Sequence, residues 1–236
     1  MLVLQQFKTG PEPCAYLPEQ SATLEYSYTP ILTPQEYEDA MNRGCRKFGP
    51  LLFRPVCAAC TACRPIRIPV AAFSPDRSQR RAWKANADLT VRLGRPVVDD
   101  ARLELFNRYH EARAETHGWR PHDRDAEEYA FSFVENPLPA VEISLWEEDR
   151  LRAIVITELT PNVVSGVYHY HDPDLARRSL GTFCMLQTLE LARRLEKPWA
   201  YFGFYVEGCG SLAYKARFRP CEVMGVDGVW RPFVEP

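Results

Sequence analysis

Three cysteines lie within seven residues of this chain, Cys57, Cys60 and Cys63, in the stretch CAACTAC. Two C-x-x-C steps that share Cys60 can offer three thiolates to one ion from a single tight loop, and the intervening side chains are small enough for that loop to wrap. Tetrahedral zinc and iron–sulfur clusters take four ligands, so a fourth must come from elsewhere. The spacing predicts a metal-binding loop without choosing between zinc and iron.

Cys14 is the first candidate for the fourth ligand. It follows Pro13 in a proline-rich N-terminal segment that we expect to be irregular, where a thiol has no core to fill. Cys45, directly after a predicted helix stop, is the second candidate, whereas Cys184 lies in a helical pattern and is expected in the core. The alternative for the cluster is a reduced, metal-free loop packed inside the protein.

The stretch from Arg64 to Arg95 is strongly basic, with eight Arg and Lys residues against two Asp, in a chain of net charge −2. Part of it predicts a helix whose basic residues share one face. Arginine forks on such a face favour bidentate contact with phosphate or carboxylate, and a solvated surface is the alternative. The candidate binding residues of this helix are Arg77, Ser78, Arg80 and Arg81, with Lys84 on the same face.

Another candidate anion site is the loop DPDLARRSLGT, from Asp172 to Thr182, which joins a predicted strand to a predicted helix. Backbone N–H groups and the helix dipole attract anions at a helix N-terminus. The alternative is that Ser179 is an N-cap and the arginines are solvated. The candidate binding residues here are Arg177, Arg178, Ser179 and Gly181.

The stretch YVEGCGSLAYKARFRP, from Tyr205 to Pro220, predicts a strand end, a glycine turn and a short helix. Charged and aromatic residues at the carboxyl end of a strand, next to a crossover, are where open sheets bind ligands. Tyr214 and Lys215 are therefore candidate catalytic residues. The alternative is that Tyr214 and Phe218 pack the helix while Lys215 lies on the surface.

The order of predicted elements gives the fold class. At 236 residues and 46% hydrophobic, the chain can form one large domain or two modest ones. Helices are predicted from Thr33, an N-cap with Glu36 three residues later, to Gly44, from Ser74–Pro75 onward, and over about residues 99–118. After residue 140 a hairpin, a third strand, a helix and a further strand indicate a mixed sheet with a crossover, hence an α+β or α/β protein. We expect a boundary that divides residues 1–136 from 137–236.

The chain is expected to work in the cytoplasm and to have no membrane partner. Its N-terminus MLVLQQFKTGPEP does not resemble a signal peptide, and no run of about 18 apolar residues occurs. Cytoplasmic thiols are kept reduced, so clustered cysteines there bind metal or do chemistry more often than they form disulfides.

Five segments in order resemble one family, the bacterial aspartate/glutamate leucyltransferases, relatives of the eukaryotic arginyl-tRNA–protein transferases. The resemblance runs from about Cys14 to the end. It implies an acetyltransferase-like (GNAT) mixed sheet in the C-terminal half, preceded by a cysteine-containing α/β region. It also implies transfer of leucine from leucyl-tRNA to proteins that begin with Asp or Glu, which marks them for degradation in an N-degron pathway, without acetyl-CoA. The segments are CAYLPEQSATLEY, FRPVCAACTACRPIRIPV, SPDRSQRRAWKANADL, DPDLARRSLGTF and YKARFRP.

The resemblance also suggests roles for the candidate residues. Aminolysis of the tRNA ester needs an anchored donor, a deprotonated amine and stabilisation of an oxyanion, not a protein nucleophile. The loop from Arg177 to Gly181 would hold the donor's terminal phosphates, and the basic helix would contact tRNA or the acidic acceptor. Tyr214 and Lys215 would position the ester. By motif match, the metal ligands would be Cys14, Cys57, Cys60 and Cys63.

This chain departs from the family pattern at two places. Two other functions are alternatives to leucine transfer. The pattern has Lys-Met where this chain has Ser211–Leu212, and an aromatic residue where it has His171. One rival is an acyl-CoA-dependent N-acyltransferase, which would need a pyrophosphate loop of the R/Q-x-x-G-x-G/A type, but RRSLGT has one glycine. The other rival is a metal-stabilised RNA-binding module.

Overall fold

A computed structural model describes residues 1–117 and 123–234. The smaller of two sheets is antiparallel and has four strands in the order β1-β2-β4-β3. Its first two strands flank the loop that carries Cys14, so only that loop is irregular and the prediction of an irregular N-terminal segment was otherwise wrong. The strands are β1 Gln5–Pro13, β2 Ser21–Tyr28, β3 Arg46–Phe48 and β4 Leu51–Pro55.

The larger sheet has eight strands in the order β12-β11-β5-β10-β9-β8-β7-β6. Neighbouring strands are antiparallel except for β9 and β10, which the predicted crossover helix joins in parallel. The structure is therefore a mixed α+β protein, as predicted. The strands are β5 Arg64–Pro69, β6 Thr90–Gly94, β7 Ala140–Glu147, β8 Arg150–Leu159, β9 Val163–His171, β10 Trp199–Tyr205, β11 Glu222–Met224 and β12 Trp230–Pro232.

Helices lie between these strands, and within the described ranges none is both long and apolar enough to cross a membrane. The predicted end of the long helix at Gly118 lies outside the described residues. The helices are α1 Pro34–Met41, α2 Arg77–Ala85, α3 Asp100–His117, α4 Ala126–Tyr129 with a π turn over Ala130–Val134, α5 Leu180–Arg194 and α6 Gly210–Ala213; 3-10 turns span Pro173–Arg178 and Tyr214–Arg217.

Capping chemistry sets the start of the first two helices. In α1 the Thr33 side chain accepts from the backbone N–H of Glu36, whose carboxylate accepts from the backbone N–H of Thr33, which confirms the predicted capping box. The second helix begins at Arg77, not at Ser74–Pro75 as predicted. The reason is that Asp76 and Gln79 form a capping box of their own, and this fixes the first turn.

Helices cover both faces of the large sheet. Side chains of β8 alternate between the faces, so that Ala153 and Val155 pack in the cluster that contains α5, while Ile154 and Ile156 pack in the cluster that contains α3. Cys184, expected in the core, is fully buried on α5. This packing fixes α5 and α3 on either side of β9.

The large sheet draws strands from both halves of the chain. Strands β5 and β6 precede residue 136, yet β5 lies between β10 and β11, and β6 forms the edge next to β7. The division of the chain at residues 136 and 137 stays a prediction.

Candidate active site and thiol cavity

A cavity of about 710 Å³ lies where β9 and β10 separate. The two strands pair in parallel only from Trp199 opposite Val163 to Tyr201 opposite Ser165. Beyond that point the residues of β9 and β10 line the two sides of an opening in the sheet. The first turn of α5 and the segment around Lys215 complete its walls. This is the carboxyl end of two parallel strands, where open sheets bind ligands.

Lys215 lines this cavity and titrates near neutral pH. Its Nζ donates to the carbonyl oxygen of Phe204 at 3.1 Å. Burial, followed by the charge of Arg46, lowers the pKa of Lys215 to about 7. A lysine with such a pKa is half unprotonated at neutral pH and can both accept and donate a proton there. The interpretation of Lys215 as a simple surface residue was wrong.

Tyr214 also lines the cavity, beside Lys215. Burial raises the pKa of its hydroxyl above the ordinary value, so the group stays protonated at neutral pH. Tyr214 also packs against the main core, which agrees with the alternative prediction that it packs the helix. Phe218, in contrast, is fully buried.

The start of α5 carries a backbone conformation that is uncommon for a side-chain-bearing residue. Ser179 has φ 55° and ψ 45°, in the left-handed region, and its side chain forms no capping hydrogen bond. Such conformations cost roughly 1–3 kcal/mol and persist where the surrounding structure imposes them, often at functional sites. Ser179 is exposed at the rim, while Gly181, two residues on, lies inside the cavity.

The two arginines that precede Ser179, Arg177 and Arg178, differ in how accessible they are to a ligand. Arg178 donates to Glu147 at 2.9 Å, to Asp88, and to the carbonyl of Ala85 at 3.0 Å. Its guanidinium therefore has protein partners that an incoming phosphate would have to displace. Arg177 is exposed and is adjacent in the chain to Ala176, which lines the cavity.

The basic helix α2 lies outside the cavity but is attached to two of its walls. Gln79 donates to the carbonyl of Arg217 at 3.1 Å, two residues after Lys215. Asn86 donates to the carbonyl of Arg178 at 2.8 Å, directly before Ser179. These bonds anchor α2 to the segments that carry Lys215 and Ser179; its exposed polar and charged residues are Arg77, Ser78, Arg80, Arg81 and Lys84.

The lining of the cavity is apolar on one side and carries positive charge on another. Among the described residues no Asp or Glu lines it, whereas Arg113 and Lys215 do. Sequence reasoning missed Arg113, since nothing in the long helix pattern marks that position. His169 and His171, which lie on the same side of β9, also line the cavity. The apolar lining residues include Val155, Leu180, Met185 and Phe202.

A second cavity, of about 480 Å³, is lined by the four predicted metal ligands: Cys14, Cys57, Cys60 and Cys63. All four are free and half-buried. The loop between β1 and β2 brings Cys14 to the C-x-x-C-x-x-C loop between β4 and β5. The second candidate for the fourth ligand, Cys45, is buried in a separate cluster behind α1.

The thiols sit in surroundings that suit sulfur ligands. The backbone N–H of Tyr16 donates to the Sγ of Cys14, and that of Thr23 to the Sγ of Cys57, both at 3.4 Å. Burial and the neighbouring thiols raise the pKa of Cys63 to about 12, which shows that the sulfurs share one buried space. Across the described ranges, however, no three His, Cys, Asp or Glu side chains stand ready to hold a metal ion.

Tyr16 is common to both cavities. It follows Cys14 by two residues, and burial together with the thiols of Cys63, Cys209 and Cys14 raises its pKa to about 12. The loop between β1 and β2, which carries Cys14, thus contributes one lining residue to the cavity that Lys215 also lines.

The overall fold is similar to that of a solved structure. The crystal structure of FemX superposes with a TM-score of 0.52, covering 93% of this chain and 85% of that chain at 8% sequence identity. A likeness at this level concerns the fold alone. It places the structure with FemX-like mixed sheets.

Sequence comparison gives the family. The sequence models described as the N terminus and the C terminus of arginine-tRNA-protein transferase match residues 12–81 and 101–225. The chain belongs to this family. It is 37% identical over 223 residues to the aspartate/glutamate leucyltransferase of Pseudomonas savastanoi pv. phaseolicola, and 39% identical over 231 residues to that of Pseudomonas putida. In each comparison the match covers 94% of both chains.

Proposed function

We propose that this protein transfers leucine from leucyl-tRNA to the α-amine of proteins that begin with Asp or Glu, as an enzyme of an N-degron pathway in the cytoplasm. The relatives named aspartate/glutamate leucyltransferase support the proposal over nearly the whole chain. The observation that carries it is the cavity between β9 and β10. It combines an apolar lining, a lysine of pKa about 7 and, within the described chain, no acidic residue.

The apolar part of the cavity suits the leucyl group of the donor. Val155, Met185 and Phe202 line it. A leucine side chain would exchange water for these contacts, worth roughly 1.5–3 kcal/mol for a fully buried side chain. A cationic donor such as arginine would find no carboxylate among the described lining residues and would lose its hydration without compensation.

The tRNA would reach the cavity along α2. Since Gln79 and Asn86 fix this helix to the two walls of the mouth, a strand held by Arg77 and Arg81 would have its end near the opening. Arg177 at the rim would take a terminal phosphate, together with the backbone of Ser179 and Gly181, and Arg178 would join only by exchanging its carboxylate partners. Ser78 and Arg80 would extend the same contact surface.

The proposed reaction needs one net proton movement, and Lys215 is placed to make it. The acceptor nitrogen attacks the carbonyl carbon, a C–N bond forms, and the C–O bond to the ribose breaks. A proton leaves the nitrogen and one is gained by the ribose oxygen. Lys215 in its neutral form would accept the first and as an ammonium would return the second. Tyr214, protonated at neutral pH, would position the ester carbonyl by donating a hydrogen bond.

We propose further that Cys14, Cys57, Cys60 and Cys63 bind zinc or an iron–sulfur cluster. The donor set fits such a group: four thiols line one cavity, and backbone N–H groups already point at two of the sulfurs. Because the described residues are not yet at ligand positions, binding would draw the loops together. A bound metal would supply structural cross-linking of the two loops, away from the reacting atoms.

The finer fold assignment is part of the proposal. We infer that residues 137–236 form an acetyltransferase-like (GNAT) catalytic region after an N-terminal cysteine-containing region of residues 1–136. The separation of β9 from β10 supports the first part, because it creates the ligand opening. No acetyl-CoA is expected to take part.

The test is incubation of the purified protein with tRNA charged with leucine, arginine or phenylalanine, and with peptides that begin with Asp, Glu or Ala. Mass spectrometry should find leucine added to the Asp and Glu peptides alone. Transfer from acetyl-CoA without tRNA would replace the proposal by an ordinary N-acyltransferase. Binding of tRNA regardless of its charge, without any peptide product, would replace it by an RNA-binding module.

A further inference from the structure

Two histidines of β9 meet at the first turn of α5, inside the cavity. His169 and His171 lie on the same side of the strand because side chains alternate. A Cβ placed on Gly181 would lie 3.6 Å from the Nε2 of His169 and 3.5 Å from the Nε2 of His171. The two ring nitrogens therefore converge on one small space, which exists because residue 181 has no side chain.

The charges around this space favour an anion over a cation. Burial, then His171, and then Lys215 and Arg113 lower the pKa of His169 to about 3. Because Lys215 and Arg113 line the same cavity, a metal cation would be repelled by them. The titratable and charged groups that face the pair are Tyr109 and Arg113 of α3, Asp172 after β9, and Lys215, together with Tyr214 and Tyr168 in the cavity lining.

The orientation of His171 determines which of its ring nitrogens carries the hydrogen. Its Nδ1 faces the carbonyl oxygen of Asp172 at 3.5 Å. Since a carbonyl only accepts, Nδ1 carries the hydrogen, and the Nε2 that faces the cavity has none while the ring is neutral. To bind an anion at this nitrogen, the ring must take up a proton.

We propose that His169 and His171 bind the side-chain carboxylate of the acceptor's first residue, and so select Asp and Glu. This rests on the proposed function. A Cβ at Gly181 would be in ordinary contact with both Nε2 atoms, so the space there suits a small group such as a carboxylate, whereas the exposed Ser179 at the rim leaves more room for a phosphate. The apolar wall is left for the leucyl group.

Proton uptake accompanies binding in this arrangement. Burial lowers the pKa of His171 to about 4 in the open cavity, although its contact with Asp172 acts in the opposite direction. A carboxylate beside the ring raises its pKa, so binding of the carboxylate favours proton uptake by the ring. Discrimination in favour of an acidic first residue therefore weakens as the pH rises from 6 to 8.

The experiment compares dipeptides that begin with Asp or Asn, bound to the full-length protein without tRNA, by calorimetry. The ratio of the two Kd values isolates the carboxylate, because both peptides share the same α-amine and its titration. We expect the wild-type protein to favour Asp at pH 6. The double variant His169→Gln with His171→Gln should lose about tenfold or more of that preference, as expected when charge-assisted hydrogen bonds are removed.

A second variant guards against loss of folding in the first. Gly181→Ala places a methyl group in ordinary contact with both rings, at a position without positive φ, and should reduce the preference for Asp while both histidines stay. His110→Gln is the matched control. That histidine is also buried, but its Nε2 faces the hydroxyl of Tyr168 at 2.9 Å and it does not line the cavity.

An unchanged Asp-to-Asn ratio in both variants overturns the inference. So does a rise in KM for leucyl-tRNA with no change in that ratio, since the space would then bind a donor phosphate. Failure of the proposed function gives a different result: the wild-type protein would transfer no leucine in the mass assay, whatever the binding ratio.

Discussion

The two cavities of this protein are built in opposite ways. The thiol cavity takes its four cysteines from two short loops, and three of them are spaced regularly along seven residues. The cavity around Lys215 combines residues of α3, β8, β9, α5, β10 and the last helical turn. The spacing of residues along the sequence can predict a site built from short loops. A site built from many distant elements forms only when the sheet has formed.

Burial also shifts pKa values in opposite directions in the two cavities. Burial disfavours charge, so it raises the pKa of Cys63 to about 12 and lowers that of Lys215 to about 7. The Cys63 thiol stays protonated unless a cation compensates the charge of its thiolate. The lysine, in contrast, becomes able to exchange protons without any added group. The first cavity is suited to hold an ion, and the second to do proton chemistry.

The substitution Lys215→Ala should give the largest effect on catalysis. Removing a proton-transfer group costs typically about 10²–10⁴ in rate, so kcat should fall by at least about 100-fold while metal content is unchanged. The matched control is Lys197→Ala, a half-buried lysine near the C-terminal end of α5 that donates to the carbonyl of Pro161 and does not line the cavity. Steady-state kinetics decide the outcome, and equal rates for both variants would remove Lys215 from the mechanism.

The pH profile should follow the same lysine. The reactive form of Lys215 is the neutral amine, whose fraction grows as pH rises through the pKa of about 7. The single-turnover rate should therefore rise about fivefold from pH 6 to pH 7 and level off above pH 8, as for a general base. A flat profile over this range would contradict the assignment. Thiol-bound metal should not change over the same range.

Removing Arg77 and Arg81 together should weaken tRNA binding by a smaller factor. Each lost phosphate contact lowers the slope of log affinity against log salt by about 0.7–0.9, so the double alanine variant should show a slope reduced by about 1.5. Arg193→Ala with Arg194→Ala is the control, since these residues pair with Glu190 at the other end of α5. A salt slope equal to that of the wild type would place the tRNA elsewhere.

The substitution Cys57→Ser should have the smallest effect on rate, although it removes a ligand from the thiol cavity. Protein purified without oxygen should lose its zinc or iron, while kcat with saturating substrates falls by less than about tenfold, because the thiols lie outside the reacting centre. Cys184→Ala, in the core of α5, should leave metal content unchanged. A metal-free but fully folded wild-type protein would refute the ligand assignment.

These differences explain how far the sequence could be interpreted in advance. The capping box of Thr33 and Glu36, the strands after residue 140 and the crossover helix follow local rules of capping and periodicity, and they were predicted. The strands β1 to β3 were missed. Strand β1 is exposed along nearly its whole length, so no apolar alternation marks it, and β3 has only three residues, too few to show a pattern.

The site could be predicted residue by residue but not as an assembly. Lys215, Gly181 and the four cysteines were chosen from motifs, and the structure places each beside a cavity. Arg113 could not be found, because its approach to Lys215 depends on α3 packing across the sheet from α5. The partners of Arg178 also required the fold, since Glu147 and Asp88 come from distant segments.

The position of β5 has a practical consequence for anyone who divides this chain. Strand β5 is the antiparallel neighbour of β10 on the side away from β9. Residues 64–69 are thus an interior strand of the sheet that contains the cavity between β9 and β10. A fragment beginning at residue 137 would leave β10 and β11 with bare edges and uncovered apolar side chains. Such a fragment should aggregate when expressed alone, and should regain solubility when the missing piece is supplied in trans.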